Sequence, residues 1–409
     1  MSKQADLIVA GAGPSGCAAA IVAARAGLDV VVLDKAYSFP RCKACGDALT
    51  PRAVAALDAL GVALPAGAHA VRGLVAYGTD GHSSRFEWPA TTGLPTTAYT
   101  LPRSVLDATL LDAAVKAGAR VSLGQPVTGL RFDGARVGGV VTSTGEWAAN
   151  VVVDATGGSS RLGDAAGMPR LPARPLGVAV RGYMRAESGD QDWLHSWLAL
   201  DDESGGALAG YGWVFPMGDG LYNVGVGQLS TSPGFRATDY RRLLRHWVAG
   251  LDGWDLRWQQ GDPIVGAALP MGIDREVLYR RGLLLVGDAA GLVNPFNGEG
   301  VSYGLQSGKA AGLAVARAAA AGFGTPAAEQ QLQGYHHAIT SAFGGYYAAG
   351  NLFAKLMGHR AVLDICLRYG LPRPWVMRPV NKLMANLMAP RGGPLDDRLV
   401  HLMIGLVPR

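Results

Sequence analysis

The residues best suited to chemistry in this chain begin with a glycine turn and an acid that follows it. Gly11, Gly13 and Gly16 form a GxGxxG pattern between an apolar run and an alanine-rich segment. In such a turn the first glycine permits the tight bend, the second lets a pyrophosphate approach the backbone, and the third lets a helix pack closely on its strand. Asp34 ends the next apolar run, where a carboxylate can accept hydrogen bonds from an adenosine ribose. The spacing therefore predicts a dinucleotide site.

The loop that follows carries two cations and two thiols in residues 41–46, RCKACG. Arg41 and Lys43 have the charge to pair with phosphates, and a solvated surface position explains them equally well. Cys45 is a candidate for a thiol near a cofactor, but a free cysteine is more often a small buried hydrophobe. Arg103 starts a helical pattern, from which it could reach a cofactor phosphate or stay in solvent.

A strand pattern in residues 211–216, YGWVFP, is rich in aromatic side chains. Because side chains alternate along a strand, Tyr211, Trp213 and Phe215 should share one face. Such a stripe is typical of a packed core, and it is also suited to lining a cavity for an apolar ligand.

A second strand followed by a glycine-acid turn occurs at residues 282–291, GLLLVGDAAG. Residues 294–300 then lead into a predicted helix over 301–321. Asp288 suits a bond to a ribitol hydroxyl, and a helix N-terminus at this place would stabilise negative charge on a reduced flavin ring.

Periodicity indicates which elements must position these groups. The apolar run 7–10, the alanine-rich segment 17–26 and Val30–Leu33 predict strand, helix and strand. Between residues 172 and 270 strand signals dominate, and short antiparallel strands are also expected in 71–97. The sequence therefore predicts a βαβ unit for the dinucleotide and an antiparallel layer that forms one wall of a substrate cavity.

Composition limits the class of protein. The chain has 409 residues, of which 49% are apolar and 17% charged, so it can bury a large core. Arg25 and Arg317 interrupt apolar runs before they reach the length of a membrane span, and the first strand begins at once, so we expect neither an anchor nor a signal peptide. Four cysteines with a single CxxC predict neither a disulfide framework nor a zinc site. A cytoplasmic location follows.

The positive charge is concentrated near the C-terminus, where residues 350–409 hold nine Lys or Arg against three Asp or Glu. One face of a helical wheel in this segment is apolar and holds Met377, Val380, Met384, Leu387 and Met388. Arg378 and Lys382 lie off that face. A basic amphipathic segment of this kind is drawn to an anionic membrane surface, although packing on the protein core explains the same pattern.

Four blocks together resemble the geranylgeranyl reductase family, which shares a flavoprotein fold with the aromatic hydroxylases. They are the glycine turn with Asp34, residues 41–46, residues 154–161 and residues 287–300. Residues 211–216 are similar to the YxWxFP signature that lines the prenyl cavity of this family. The resemblance therefore favours a cavity position for the aromatic stripe and for Pro216.

The resemblance implies an α/β fold with a Rossmann-like FAD-binding domain of the aromatic hydroxylase type, an antiparallel β-sheet substrate domain and a C-terminal helical region. The expected boundaries are 1–70, 100–170 and 275–325 for the FAD-binding domain, 71–99 and 171–274 for the substrate domain, and 326–409 for a helical, membrane-associating region.

The resemblance also implies the cofactor, FAD, and the residues that hold it. The expected cofactor-binding residues are Gly11, Gly13, Pro14, Ser15, Gly16, Asp34, Lys35, Arg41, Cys45, Gly46, Arg103, Asp288, Pro295, Gly298, Gly300 and Val301. The expected cavity residues are Tyr211, Trp213, Phe215 and Pro216. Cys45, Tyr211 and Trp213 are the expected catalytic residues, with the thiol near the flavin ring as a proton relay and the two rings stabilising positive charge on an alkene.

The reaction implied is saturation of a carbon–carbon double bond in an isoprenoid chain, foremost one isoprene unit of menaquinone. The expected partners are a prenylated lipid, the inner face of the cell membrane and an electron donor that the residues do not identify, without nucleic acid. Geranylgeranyl diphosphate and a prenylated phospholipid are alternative substrates.

Two other classes remain open from the sequence. Flavin-dependent monooxygenases and halogenases share the fold, and halogenases carry a related aromatic strand; a prenyl reductase would differ by working without oxygen. A non-catalytic flavin-bearing quinone or lipid carrier is the second. Two departures from related patterns stand out: Leu208 replaces a proline often found before the aromatic signature, and Thr156-Gly157 replaces the Asp-Gly pair of hydroxylases that read NADPH through that acid.

Overall fold

The protein is seen here as a computed structural model that describes residues 3–78, 82–90, 93–201, 205–232, 234–389 and 393–407. Parts of the strand region expected at 71–97, namely 79–81 and 91–92, lie outside the described residues. The strands in chain order are β1 (Gln4–Ala10), β2 (Val30–Leu33), β3 (Ala48–Leu49), β4 (His69–Val71), β5 (Gly73–Tyr77), β6 (Ser83–Glu87), β7 (Ala98–Thr100), β8 (Arg120–Ser122), β9 (Val127–Asp133), β10 (Arg136–Thr142), β11 (Gly145–Asp154), β12 (Leu176–Arg185), β13 (Trp193–Trp197), β14 (Leu200–Asp201), β15 (Ala207–Leu208), β16 (Gly210–Gly218), β17 (Leu221–Leu229), β18 (Arg257–Trp258), β19 (Val265–Pro270), β20 (Tyr279–Arg280) and β21 (Leu283–Leu285).

The helices are α1 (Pro14–Arg25), α2 (Pro51–Asp58), α3 (Arg103–Lys116), α4 (Leu162–Ala165), α5 (Tyr240–Ala249), α6 (Val301–Ala320), α7 (Pro326–Met357), α8 (Arg360–Ile365), α9 (Pro374–Met384) and α10 (Leu395–Gly405). A 3-10 turn covers Gly287–Ala290, and a π-helical turn, Cys366–Gly370, continues α8. Side chains cap three of the helices in the described residues. Thr50 accepts from the Ala53 N–H at the start of α2, Asp239 from the Arg241 and Arg242 N–H groups at the start of α5, and Thr325 from the Ala328 N–H at the start of α7.

The first sheet has the central order β20-β21-β11-β1-β2-β8, and β1 pairs in parallel with both β11 and β2. All four residues of β2 are buried, as expected for a parallel strand covered on both faces. Glycine lets α6 pack tightly on α1: a Cβ at Gly308 would lie 2.0 Å from the Ser15 carbonyl oxygen. The predicted βαβ unit is confirmed, and its turn opens at the carboxyl end of the sheet.

The second sheet has the order β18-β12-β17-β16-β13-β5-β6, with β19 also paired to β12. Its pairs are antiparallel except for β13 with β5. One face packs on α5, where Leu243 and Leu244 meet buried Val224 and Val226. The opposite face carries the aromatic residues of β16, so this sheet is the antiparallel layer that the sequence predicts. The exact domain boundaries stay a prediction.

The C-terminal helices cover one end of the molecule, and none of the helices in the described ranges is long and apolar enough to cross a bilayer. The residues of the amphipathic face expected to meet a membrane instead point inward: Met377 is buried on α9, and Leu387 and Met388 are buried beyond the end of this helix at Met384. Lys382 is 4% exposed, and its amine lies 2.8 Å from Asp396 and 3.0 Å from Asp397. The sequence left two interpretations of this apolar face open. Its burial agrees with packing on the protein, and the interpretation that this face meets a membrane is wrong.

Candidate cofactor and substrate site

One cavity of about 870 Å³ runs from the glycine turn to the C-terminal helices. The first sheet and the loop 41–46 line one end, strands β12, β16 and β19 line the middle, and α8 and α9 line the other end. Among the expected site residues, the cavity lining includes Gly11, Gly13, Pro14, Ser15, Asp34, Lys35, Arg41, Cys45, Gly46, Arg103, Tyr211, Trp213, Phe215, Asp288, Pro295, Gly298, Gly300 and Val301. Gly16 and Pro216 are not in the lining.

The glycine turn has the shape that a diphosphate requires. Gly11 has a φ of +106°, and a Cβ there would lie 2.3 Å from the Ala155 carbonyl oxygen. A Cβ at Gly16 would lie 1.9 Å from the Gly11 carbonyl oxygen, so Gly16 acts through packing and not through the cavity. No side chain caps the N-terminus of α1 at Gly13. The first amides of this helix therefore face the cavity with the dipole that favours an anion.

Asp34 stands at the end of β2 and is 3% exposed. Its Oδ2 accepts a hydrogen bond from the Ala12 N–H at 2.7 Å, which ties the acid to the glycine turn. Arg41 donates to both carboxylate oxygens of Asp34 at 3.0 Å. The arginine therefore orients the carboxylate that would meet a ribose, a role that the sequence did not suggest.

A second acid, Asp107, joins Arg41 to Arg103. Arg103 Nε and Nη2 donate to the two Asp107 oxygens at 2.9 and 3.1 Å, and Arg41 Nη2 lies 3.5 Å from Oδ2. Asp107 is fully buried. The sequence analysis missed it, although an acid four residues after Arg103 on a helix was a usable signal. This pairing holds both arginines at the cavity wall.

Lys43 and Asp288 bring opposite charges to the same end of the cavity. Burial lowers the pKa of the Lys43 amine, and the nearby Asp288 carboxylate counteracts that effect. Burial raises the pKa of Asp288, and Lys43 counteracts it in turn. Asp288 lies in the 3-10 turn after β21, so both acids that follow strands of the first sheet reach the cavity.

The aromatic residues of β16 form a continuous wall. Ring centroids lie 5.8 Å apart for Tyr211 and Trp213 and 6.1 Å apart for Trp213 and Phe215. Trp213 lies flat against the neighbouring strand, because a Cβ at Gly225 would be 2.2 Å from its ring. The cysteine loop approaches the same wall at Gly46, where a Cβ would lie 3.4 Å from the Phe215 ring. The predicted face is confirmed.

Asn223 connects the aromatic wall to the cysteine loop. It accepts a hydrogen bond from Trp213 Nε1 at 2.9 Å, and its amide donates to the Cys45 carbonyl at 2.8 Å and to the Asp47 carboxylate at 2.7 Å. Tyr183 donates to the same carboxylate. Asn223 and Asp47 are buried and were not singled out from the sequence. Asp47 lies one residue beyond the cysteine motif, but Asn223 gives no local signal.

The two candidate proton-bearing groups are held in their neutral forms. Burial raises the pKa of the Cys45 thiol, and Arg103 counteracts part of that effect. Burial raises the pKa of Tyr211 to about 12. Tyr211 donates to the Asn297 carbonyl at 2.7 Å, which joins β16 to the loop that precedes α6. The cavity therefore holds two neutral donors beside an aromatic surface.

These features fit a flavin dinucleotide. The uncapped start of α1 and the cradle at Gly11 suit the diphosphate, Asp34 suits the adenosine ribose, and Asp288 suits the ribitol. The start of α6 at Gly300 also lacks a side-chain cap and opens on the cavity, where a flavin pyrimidine can be stabilised. The fold and site thus define a flavoprotein.

Comparisons with known proteins agree. The family model for the FAD binding domain matches residues 4–340. The menaquinone reductase of Mycolicibacterium smegmatis is 40% identical over 324 residues, which cover 76% of this chain and 76% of that protein. Digeranylgeranylglycerophospholipid reductase 1 of Methanopyrus kandleri is 32% identical over 320 residues, which cover 75% of this chain and 79% of that protein.

Among solved structures, a geranylgeranyl bacteriochlorophyll reductase-like protein from Thermoplasma acidophilum has a TM-score of 0.80 over 98% of this chain and 99% of that one. At 22% identity this likeness is one of fold. The chain belongs to the FAD binding domain family and, within it, to the geranylgeranyl reductases. The family, the fold class and the cofactor predicted from the sequence are confirmed, while the roles of individual residues stay predictions.

Proposed function

We propose that this flavoprotein saturates one isoprene unit in the tail of menaquinone. The observation that carries the proposal is that one cavity joins the dinucleotide cradle to an apolar chamber under α8 and α9. Leu371, Val376, Met377 and Val380 line that chamber, so it suits a hydrocarbon chain and not a polar substrate. The similarity to a menaquinone reductase supports this choice of tail.

Saturation of an isolated alkene requires a proton on one carbon and a hydride on the other. Reduced FAD supplies the hydride when bound, and a two-electron donor outside the site must restore the reduced form. No carbonyl polarises the alkene, so positive charge develops at its more substituted carbon as the proton arrives. Tyr211 and Trp213 stabilise this charge through their ring faces, each by about 0.5 to 2 kcal/mol, which corresponds to roughly tenfold in rate.

Cys45 is the group that we assign to proton delivery. It lines the cavity, and burial keeps its thiol protonated by raising its pKa. The Asp47 N–H donates to Cys45 Sγ at 3.3 Å, which fixes the rotamer of the thiol. Arg103, Lys43 and Arg41 then serve the cofactor or a polar head group at the wall of the cavity.

The substrate of this proposal is a membrane lipid, so the enzyme meets it at the inner face of the cell membrane. The chain acts there as a peripheral protein, and the tail leaves the bilayer to reach Trp213. Residues 350–409, with their surplus of positive charge, belong to the side that faces anionic lipid.

Mass spectrometry of lipid quinones from host cells with and without an intact gene tests the proposal. The menaquinone of cells that lack the protein should be lighter by one H2, and the gene supplied in trans should restore the mass. An unchanged quinone pool would contradict the proposal and direct the search to prenyl diphosphates or prenylated phospholipids in the same extracts.

Purified holoenzyme separates reduction from oxygenation. Under strictly anaerobic conditions, chemically reduced enzyme should saturate one isoprene unit of a quinone that carries a fully unsaturated tail. FAD should be oxidised in proportion to the saturated product. A requirement for oxygen would identify a monooxygenase or halogenase. Retention of reduced FAD in the presence of substrate would identify a non-catalytic carrier.

A further inference from the structure

We propose that α10 and Trp375 form a docking surface for an anionic lipid bilayer, and that the prenyl tail enters the cavity beside this surface, between α8 and α9. The inference deepens the proposed function, on which it rests for the nature of the tail. It assigns the contact to residues that the sequence analysis did not select. The face of α9 that the sequence did select is buried.

Helix α10 has two apolar faces. The inner face packs on the protein, where Val400 is 2% exposed and Asp397 pairs with Lys382. The outer face is open, and its apolar residues are Leu395, Leu399, Leu402, Met403 and Leu406, with exposures of 82%, 53%, 61%, 52% and 75%. Their spacing keeps them on one side of the helix. Five large apolar side chains in solvent along one helix mark an interaction surface.

The exposed stripe continues onto α9. Trp375 is 76% exposed and lies three residues before Arg378 on that helix. Arg378 Nε is 3.7 Å from Asp396, the residue after the exposed Leu395. Trp375 and Leu395 therefore flank the same ion pair. Leucine with tryptophan beside arginine is the composition of helices that lie in the interface of a membrane.

The cavity ends at α8 and α9, and α9 is the helix that carries Trp375. Leu363, Leu367 and Leu371 line the cavity from the segment that includes α8 and the π-helical turn. Ile365 and Tyr369 on the same segment are 59% and 55% exposed. A wall one helix thick therefore separates the apolar chamber from Ile365 and Tyr369, and the entry of the tail is placed at this wall.

Charge selects the bilayer over a second copy of this chain. Arg368, Arg373, Arg378 and Arg398 are exposed around the stripe. Residues 350–409 carry nine Lys or Arg against three Asp or Glu, so two copies facing each other would repel. Anionic headgroups attract the same charges, and the aliphatic side chains can insert below them.

Vesicle co-sedimentation of the FAD-loaded protein tests the surface without any substrate. The vesicles are phosphatidylcholine alone or mixed with phosphatidylglycerol. The wild type should bind, and more tightly as the anionic fraction increases. Leu399→Glu combined with Leu402→Glu should weaken binding by about tenfold or more, because each glutamate replaces an apolar side chain and its charge is costly to place in the apolar region of the bilayer. Val115→Glu combined with Phe132→Glu, on exposed positions of α3 and β9, is the matched control and should bind as the wild type does.

Activity then separates this inference from the proposed function. With a short-tailed menaquinone in detergent the three proteins should turn over alike, whereas with menaquinone embedded in vesicles the α10 double variant should fall by about tenfold. Circular dichroism and FAD content report that the variants are folded. Absence of turnover in all proteins, with vesicle binding as predicted, would reject the proposed function and keep the surface.

Three results would overturn the surface. They are a wild type that does not bind anionic vesicles, an α10 double variant that binds as the wild type does, and a wild type that is a dimer without lipid and becomes a monomer on introduction of the two glutamates.

Discussion

Asn223 is the single residue on which the geometry between the aromatic wall and the cysteine loop most depends. Its three hydrogen bonds reach Trp213, the Cys45 carbonyl and Asp47, and all lie in a buried region. Buried polar groups that lose their partners cost about 1 to 3 kcal/mol each. Asn223 does not itself line the cavity, whereas Trp213 and Cys45 do, so we regard it as a positioning residue for these two.

Asn223→Leu, which preserves size and removes the hydrogen bonds, should lower kcat by about tenfold or more and destabilise the protein by about 2 kcal/mol or more. Thermal unfolding and steady-state kinetics on the FAD-loaded variant measure both effects. Trp213→Phe removes one of the three bonds and keeps the Asp47 and Cys45 contacts, and because it also changes a ring assigned to charge stabilisation, it is compared with Asn223→Leu in thermal unfolding and not in kcat. A wild-type kcat in Asn223→Leu would show that the network does not position the site.

The protonation of Cys45 gives a prediction on pH. Burial raises the pKa of this thiol, and alkylation requires the thiolate. Below the raised pKa the thiolate fraction grows about tenfold per pH unit, so iodoacetamide should label Cys45 slowly at pH 8 and faster as the pH increases. The exposed Cys42 should be labelled first. Peptide mass mapping over time reports the two rates.

Rapid labelling of Cys45 at pH 7 would contradict a buried, protonated thiol. Cys45→Ser tests the proton role separately. If its turnover equals that of the wild type at normal FAD content, the thiol is not the proton relay.

At the scale of elements, α9 should control how the tail enters the chamber. Val380 lines the apolar end, where the tail is proposed to enter between α8 and α9, and a larger side chain there would narrow the entrance. Val380→Trp should reduce kcat/KM for menaquinone by about tenfold at every tail length and leave FAD binding unchanged. Steady-state kinetics over a series of tail lengths, with FAD content measured on the same samples, checks this.

Leu356→Trp, on an exposed position of α7 outside the cavity lining, provides the control for the added indole. A loss confined to long tails in Val380→Trp would mean that α9 lies at the closed end of the chamber and not at its entrance.

Elements are also the level at which sequence and structure diverge. The pattern predicts an amphipathic helix that the structure has only as far as Met384, since Leu387 and Met388 lie beyond its end. A helix that packs on a protein and one that lies on a membrane have the same periodicity. What separates them is the partner of Lys382, and its acids, Asp396 and Asp397, follow in a different helix. The apolar stripe on α10 was overlooked because that helix is apolar on two faces, which blurs its pattern.

At the scale of the whole molecule, the cofactor should hold separate parts of the chain together. The cavity takes lining residues from both large sheets and from the C-terminal helices. FAD at a hundredfold excess over its Kd should stabilise the folded state by about 2.7 kcal/mol, and FMN, which lacks the adenylate expected at Asp34, should stabilise it less. Thermal unfolding of apoprotein titrated with each flavin makes the comparison. Equal stabilisation by the two flavins would contradict the assignment of Asp34 to the adenosine ribose.

The global architecture was largely predictable because its signals are local. The glycine turn, the acid after β2 and the aromatic strand each lie within a few residues, and each predicts one part of the cavity. Asn223 and Arg181 could not be placed in the same way, because their partners come from distant segments. Arg181, for example, donates to the Lys43 carbonyl at 3.1 Å across from β12. Tertiary hydrogen bonds of this kind leave no periodicity in the sequence.

With the proposed substrate and entrance, the cavity that joins the cofactor site to the apolar chamber would select an alkene by its distance along the tail. A tail that enters beside α10 while its quinone ring stays at the lipid surface can present to Trp213 only the double bond that lies at one distance along the chain. Selectivity among chemically equivalent alkenes then follows from the depth of the chamber and not from recognition of the alkene. Selection by distance predicts that every product molecule is saturated at the same position along the tail. Moving the entrance between α8 and α9 would shift that position by whole isoprene units.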